Sequence, residues 1–146
     1  MNNRWSRILT LILRIILGAI FIYAAIGKIA DPSQFANDIA AYRLLPLYLV
    51  NIIALILPYL EILAGLGLVL GVWLDACIAI VLALIDIFIF AAGSAMLRGL
   101  NIECGCFTLS SNGKVGWDLI TRDTVMLAAA VVVFLTRQKS RSSISE

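Results

Sequence analysis

The sequence predicts an all-α membrane protein: a four-transmembrane-helix bundle with a short amphipathic surface helix between the first and second spans. Three observations predict it. First, of 146 residues 62% are hydrophobic and only 14% charged, against about 25% charged in an average soluble domain. Mean hydropathy is +1.04, which leaves too little polar surface to cover a water-facing globule. Second, four apolar runs occupy 8–29, 47–70, 73–97 and 117–135. Each reaches the roughly 20 residues that a helix needs to cross ~30 Å of hydrocarbon. Third, Trp5, Trp73 and Trp117 lie at predicted span ends, the headgroup level that amphipathic indoles prefer.

Helices are the form the runs must take, because hydrocarbon satisfies no exposed backbone group. A β-barrel would need alternating apolar and polar residues, and these runs are apolar on all sides. The first run follows Arg4 and Arg7, as a signal peptide would. It is longer than a signal peptide's apolar region, and Arg14 interrupts it, so it is read as a retained span. Between the first and second spans, Asp31-Pro32-Ser33-Gln34 reads as a helix start, with Asp31 as N-cap and Pro32 in the first turn. Phe35, Ile39 and Tyr42 then fall on one face, with Gln34 and Asp38 assigned to the other, as in a helix lying on the bilayer surface. Pro46 ends it. Gly71 and Val72 leave room only for a tight hairpin between the second and third spans. A polar loop from Gly99 to Gly116, with the turn signal Asn112-Gly113, joins the third to the fourth. The whole chain, 1–146, is one membrane domain. Its basic, Ser-rich tail, 137–146, is expected to be mobile.

An even number of spans puts both termini on one side of the bilayer. That side carries Arg4, Arg7, Arg137, Lys139 and Arg141, and the other carries Lys28, Arg43, Arg98, Lys114 and Arg122. The positive-inside comparison is a tie, which Arg14 tips toward cytoplasmic termini. The expected setting is a bacterial inner membrane, crossed several times, with the loop between the third and fourth spans periplasmic or extracellular. Net charge is only +2 with scattered basic groups, a pattern that offers nothing to nucleic acid. With no histidine, every imidazole-based metal site, haem site or catalytic triad is excluded.

The sharpest chemical feature is Asn101-Ile102-Glu103-Cys104-Gly105-Cys106-Phe107. Two thiols one residue apart can close a strained, easily reduced disulfide of the kind used in catalysis or regulation. The same sulfurs could grip a soft ion such as Cu(I), or be ordinary loop cysteines, since a single Cys-x-Cys is a weak pattern. Lys28, Arg98 and Arg122 are predicted near the same membrane face, where cations stabilise a thiolate. Basic residues at span ends also snorkel to the interface with no further role. Cys77 is predicted at the opposite face, about a membrane thickness away, and is read as a packing residue. Arg14, Glu61 and Asp86 lie inside spans, where ionisable groups are costly and pair or function. Arg14 is placed to reach Glu61. Asp86, without an obvious partner, is the candidate for proton handling. Gly67 and Gly71 have helix-packing spacing. No metal site is assigned.

These residues resemble the methylamine utilisation protein MauE family and its relatives in the wider DoxX/DoxD-like membrane group. The resemblance runs over nearly the whole chain. Gly27-Lys28-Ile29-Ala30-Asp31-Pro32 with Phe35 is similar to the family's signature after its first span. Tyr42-Arg43-Leu44-Leu45-Pro46 and then Pro58, Glu61 and Gly65 resemble the connection into the second span and its motif. Arg98-Gly99 ahead of Cys104-Gly105-Cys106-Phe107, followed by Trp117 and Arg122-Asp123, resembles the most distinctive block. Thr108 departs from the pattern, where glycine would follow the phenylalanine. The resemblance implies a four-helix inner-membrane protein that assists thiol chemistry outside the cytoplasm, beside a thioredoxin-like partner. It links the family to maturation of the disulfide-rich small subunit of methylamine dehydrogenase. The DoxD branch implies thiosulfate:quinone oxidoreduction. The leading expectation is therefore a thiol-disulfide redox protein or accessory with Cys104 and Cys106 as its reactive pair and Lys28, Glu61, Asp86, Arg98 and Arg122 in support. Electrons would need a route other than Cys77, and a quinone docked in the bundle is one candidate. The alternatives are soft-metal binding or transport through Cys104 and Cys106, a quinone-linked oxidoreductase subunit, and a non-catalytic membrane scaffold.

Overall fold

In a computed structural model, the structure describes residues 3–100 and 117–142. They form five helices: α1 (Asn3–Ala30), α2 (Pro32–Ala41), α3 (Leu47–Leu70), α4 (Leu74–Leu97) and α5 (Trp117–Ser142). Among the described residues there is no strand. Helices α1, α3, α4 and α5 close a ring, each packed on the next and α5 returning to α1, while α2 lies across α3 and α1. Three helices, Arg7–Ala30, Leu47–Leu70 and Leu74–Leu97, are long and apolar enough to cross a membrane. The surface of the bundle agrees. Leu9, Leu55, Leu63, Ile87 and Phe90 are all exposed, whereas Lys28 and Glu61 are among the most buried side chains. That inversion is what a lipid solvent selects.

The turns differ in detail from the sequence expectations. Helix α2 does start as predicted: the Asp31 carboxylate accepts from the Gln34 backbone N–H at 3.0 Å and from the Ser33 hydroxyl at 2.8 Å. Its faces are divided differently. Phe35 is buried as expected, but so is Asp38, which accepts from the Gln34 side-chain amide at 2.9 Å. Positions 35, 38 and 42 share a helical face, and that hydrogen bond lets the carboxylate turn inward. Gly71 closes α3 in the left-handed conformation, φ 79°, with its N–H on the Gly67 carbonyl. Trp73 follows at φ 46°, so it belongs to the hairpin turn rather than to the third span. It stands 84% exposed at the bundle's end, where an interfacial indole belongs. At the C-terminus the helical backbone runs on to Ser142, so residues 137–142 extend α5 instead of forming a loose tail. Residues 143–146 lie outside the described residues.

The Asp31 cap carries a pH dependence. Hydrogen bonds from Gln34 and Ser33 hold its carboxyl below the ordinary aspartate range. A depressed pKa means that the cap's stabilisation is present above the ordinary aspartate pKa and is lost as pH falls through the depressed value. Amide-exchange protection of α2 should therefore fall on acidification below about pH 4. Asp31→Asn, which caps without titrating, should flatten that response; an unchanged acid response in the variant would assign it to another group.

A buried ion pair and an aromatic cage under the α4–α5 connection

One charged cluster occupies the bundle interior. Lys28 stands in the last turn of α1, where the helix dipole favours a cation. Glu61 lies one turn after Pro58 in α3. The Lys28 ammonium donates to Glu61 Oε1, and both side chains are 2% exposed. Two aromatic faces complete the ammonium's surroundings, Phe35 from α2 at 5.1 Å and Phe88 from α4 at 4.9 Å from the ring centres. Such contacts are worth about 2 kcal/mol when desolvated. Four helices thus converge on one nitrogen. Glu61 Oε2 is buried with no hydrogen-bond partner.

Beside this pair, α5 contributes Arg122 and Asp123. The guanidinium donates to Asp123 Oδ1 through Nη2 at 3.2 Å and Nε at 3.3 Å. Lys28, Glu61, Arg122 and Asp123 line one cavity of about 40 Å³, floored by Phe21 and Phe88. About 10–15 Å³ suffices for one water, and a cavity near 150 Å³ admits a benzene ring. This one suits a few waters that would satisfy Glu61 Oε2, and it does not accommodate a quinone ring as it stands.

The structure therefore gathers three of the residues singled out from sequence, Lys28, Glu61 and Arg122. It corrects the pairing of the intramembrane charges, because Glu61 is held by Lys28 and not by Arg14. The Arg14 guanidinium lies instead against Gly71 at the end of α3, with its Nε buried and unbonded. It belongs to the opposite end of the bundle, with the Arg137–Asp75 pair at 2.6 Å and the Thr10–Thr136 hydrogen bond at 3.1 Å. Cys77 is also near that end, buried against Gly67, its thiol donating to the Val72 carbonyl at 3.6 Å. Arg98 joins α4 to the end of α2, its Nη2 donating to the Tyr42 carbonyl at 2.5 Å and its Nε to the Ser94 carbonyl at 3.2 Å.

Asp86 is not buried beneath this site. It is exposed on the outer face of α4, at the middle of the span, and has no partner among the described residues. An aspartate at that depth costs about 2.5–3.5 kcal/mol when it faces lipid. Cys104 and Cys106 lie outside the described residues; their segment leaves after Leu100 and returns at Trp117. Sequence reasoning did not single out Asp123, Phe35 or Phe88 as parts of a site. For Phe35 the signal was its position seven residues after Lys28, across the Asp31-Pro32 break. Phe88 carried none, being one aromatic in an apolar run.

The sequence profile of the family described as "Methylamine utilisation protein MauE" matches residues 6–136. The chain belongs to the MauE family. The match takes in all five helices and the Cys104-Gly105-Cys106 segment. The MauE proteins of Paracoccus denitrificans and Methylorubrum extorquens are each 32% identical to it, over 122 and 124 residues. These stretches cover 83% and 84% of this chain and 66% and 67% of the relatives. The MauE of Methylophilus methylotrophus is 36% identical over 114 residues, 75% of this chain and 59% of its own length. The chain thus spans about two-thirds or less of the length of these MauE relatives. No solved structure matches it.

Proposed function

We propose that this chain is a membrane-embedded thiol-disulfide redox protein, or an accessory to one, acting in methylamine utilisation as the names of its relatives indicate. In this reading α5 is the fourth span and α2 rests at the bilayer surface. The protein sits in a bacterial inner membrane with cytoplasmic termini and an extracytoplasmic Cys104–Cys106 segment. Its partner is a thioredoxin-like protein, and the product of the exchange is a disulfide in the small subunit of methylamine dehydrogenase.

One observation carries the reading. The cationic cluster of Lys28 and Arg122, with Arg98 at the end of α4, belongs to the half of the bundle from which the Cys-Gly-Cys segment departs and to which it returns. Cations near a thiol favour its thiolate, the species that attacks a disulfide. In the exchange, the Cys104 thiolate attacks a partner disulfide and forms a mixed disulfide. The partner's second sulfur leaves as a thiolate and takes up a proton. Cys106 gives up its proton and attacks the Cys104 sulfur. That closes the Cys104–Cys106 disulfide and releases the partner as a dithiol. The same steps in reverse oxidise the partner.

Cys106→Ser should trap the first intermediate, visible as a mixed disulfide through Cys104 on a non-reducing gel and lost on adding reductant. Cys104→Ser should trap through Cys106 far less. If neither variant captures a thioredoxin-like protein in cells that express one, the exchange reading fails. Full activity with both cysteines replaced by serine would point to a scaffold.

A further inference from the structure

Most of the exposed residues of α4 fall into one series. Ala76, Ala79, Ala83, Asp86 and Phe90 are exposed, at alternating steps of three and four, and Gly93 continues the series. A Cβ added at Gly93 would meet nothing within 4 Å. A 3-4 alternation is the pattern of a two-stranded seam. Four of the six positions are Ala or Gly, which let helix backbones approach closely inside a bilayer. A seam facing lipid alone has no reason to hold a carboxyl group, and an aspartate side chain at mid-span is too short to reach either headgroup region.

We propose that this face of α4 packs against the same face of a second copy of the chain, with the two Asp86 side chains meeting at the bilayer midplane. Asp86 lies at the centre of Leu74–Leu97. Two copies inserted in the same orientation therefore present it at the same height whatever their rotation about the membrane normal. In a parallel two-stranded seam, equivalent positions face each other across the axis. Two carboxyl groups so placed are self-complementary when they share one proton, the carboxyl O–H donating to the carboxylate of the other copy. No described cation or other titratable group faces Asp86 from within its own bundle, so a second copy supplies what the monomer lacks. The ring of α1, α3, α4 and α5 is closed without this face, so packing there requires no rearrangement. The contact is independent of the thiol chemistry and would stand if that reading failed.

Cross-linking in bilayers tests it. In a chain whose three cysteines are serine, Ala83→Cys should give a disulfide-linked dimer on mild oxidation, while Leu55→Cys on the lipid face of α3 should not. Asp86→Leu should reduce dimerisation of the otherwise native chain about tenfold, as read by single-molecule photobleaching, and Asp86→Asn, which hydrogen-bonds across a seam, should retain it. Failure of Ala83→Cys to link two copies would overturn the proposal. So would equal dimerisation of Asp86→Leu and the native protein, or linkage of Ala83→Cys to a different protein.

Discussion

Glu61→Leu alone should destabilise the bundle by about 3–5 kcal/mol, and Lys28→Leu alone by a similar amount, whereas the double variant should recover most of the loss. The argument rests on what each single change leaves behind. In Glu61→Leu the Lys28 ammonium stays 2% exposed, with two phenylalanine rings but no counter-charge. In Lys28→Leu the Glu61 carboxylate keeps Oε2 unbonded and loses the donor to Oε1. Removing one member of a buried pair costs that much because the survivor is uncompensated. Replacing both by apolar groups is often neutral or stabilising. The measurement is a double-mutant cycle on reversible unfolding in mixed micelles. Strictly additive losses would show that the two side chains act separately. A stable double variant that no longer supports thiol exchange would show that the pair is kept for chemistry, at a cost to stability.

The contrast between the double variant's stability and its activity separates two roles that the sequence alone could not. Intramembrane charges announce themselves in an apolar run, so Glu61 and Asp86 were both legible as unusual. Their partners were not, because pairing depends on how helices rotate about their axes. A rotation of α3 by one position would have turned Glu61 to another neighbour. The apolar runs of α3 and α4 carry little face preference of their own, since every side is aliphatic. Their orientation is set by close-contact positions: Gly65 against α1, Gly67 against Cys77. That is why Arg14 looked like a partner for Glu61 and Lys28 did not. Depth along the spans suggested either, and only packing decides. The start of α2 was fully legible because a cap is local chemistry. Its buried face was read short by one residue, Asp38, because a carboxylate is assigned to water until a neighbouring amide is seen to satisfy it. The family was legible from the spacing of Lys28, Asp31, Pro32, Glu61 and the Cys-Gly-Cys block.

The second large effect is expected at the crossing of α1 and α3. Gly67 and Gly71 have the spacing of a packing motif, but the closest backbone approach uses Gly18 and Gly65. A Cβ on Gly18 would stand 2.7 Å from the Gly65 carbonyl oxygen, and one on Gly65 would stand 2.8 Å from that of Gly18. These neighbours are backbone atoms, which cannot rotate away as a side chain can. Gly71 has a different duty, holding a left-handed turn at φ 79°. Gly18→Ala or Gly65→Ala must therefore push the two helices apart, at about 1–3 kcal/mol. The shift also moves Lys28, on α1, relative to Glu61, on α3, so the ion pair loosens with the crossing. Gly27 provides the control on the same helix, because a Cβ there meets nothing within 4 Å. Gly27→Ala should be neutral or stabilise by up to about 1 kcal/mol through helix propensity. Unfolding midpoints of the three alanine variants decide the matter: if Gly65→Ala proves as stable as Gly27→Ala, the close crossing of α1 and α3 is not what holds Lys28 against Glu61.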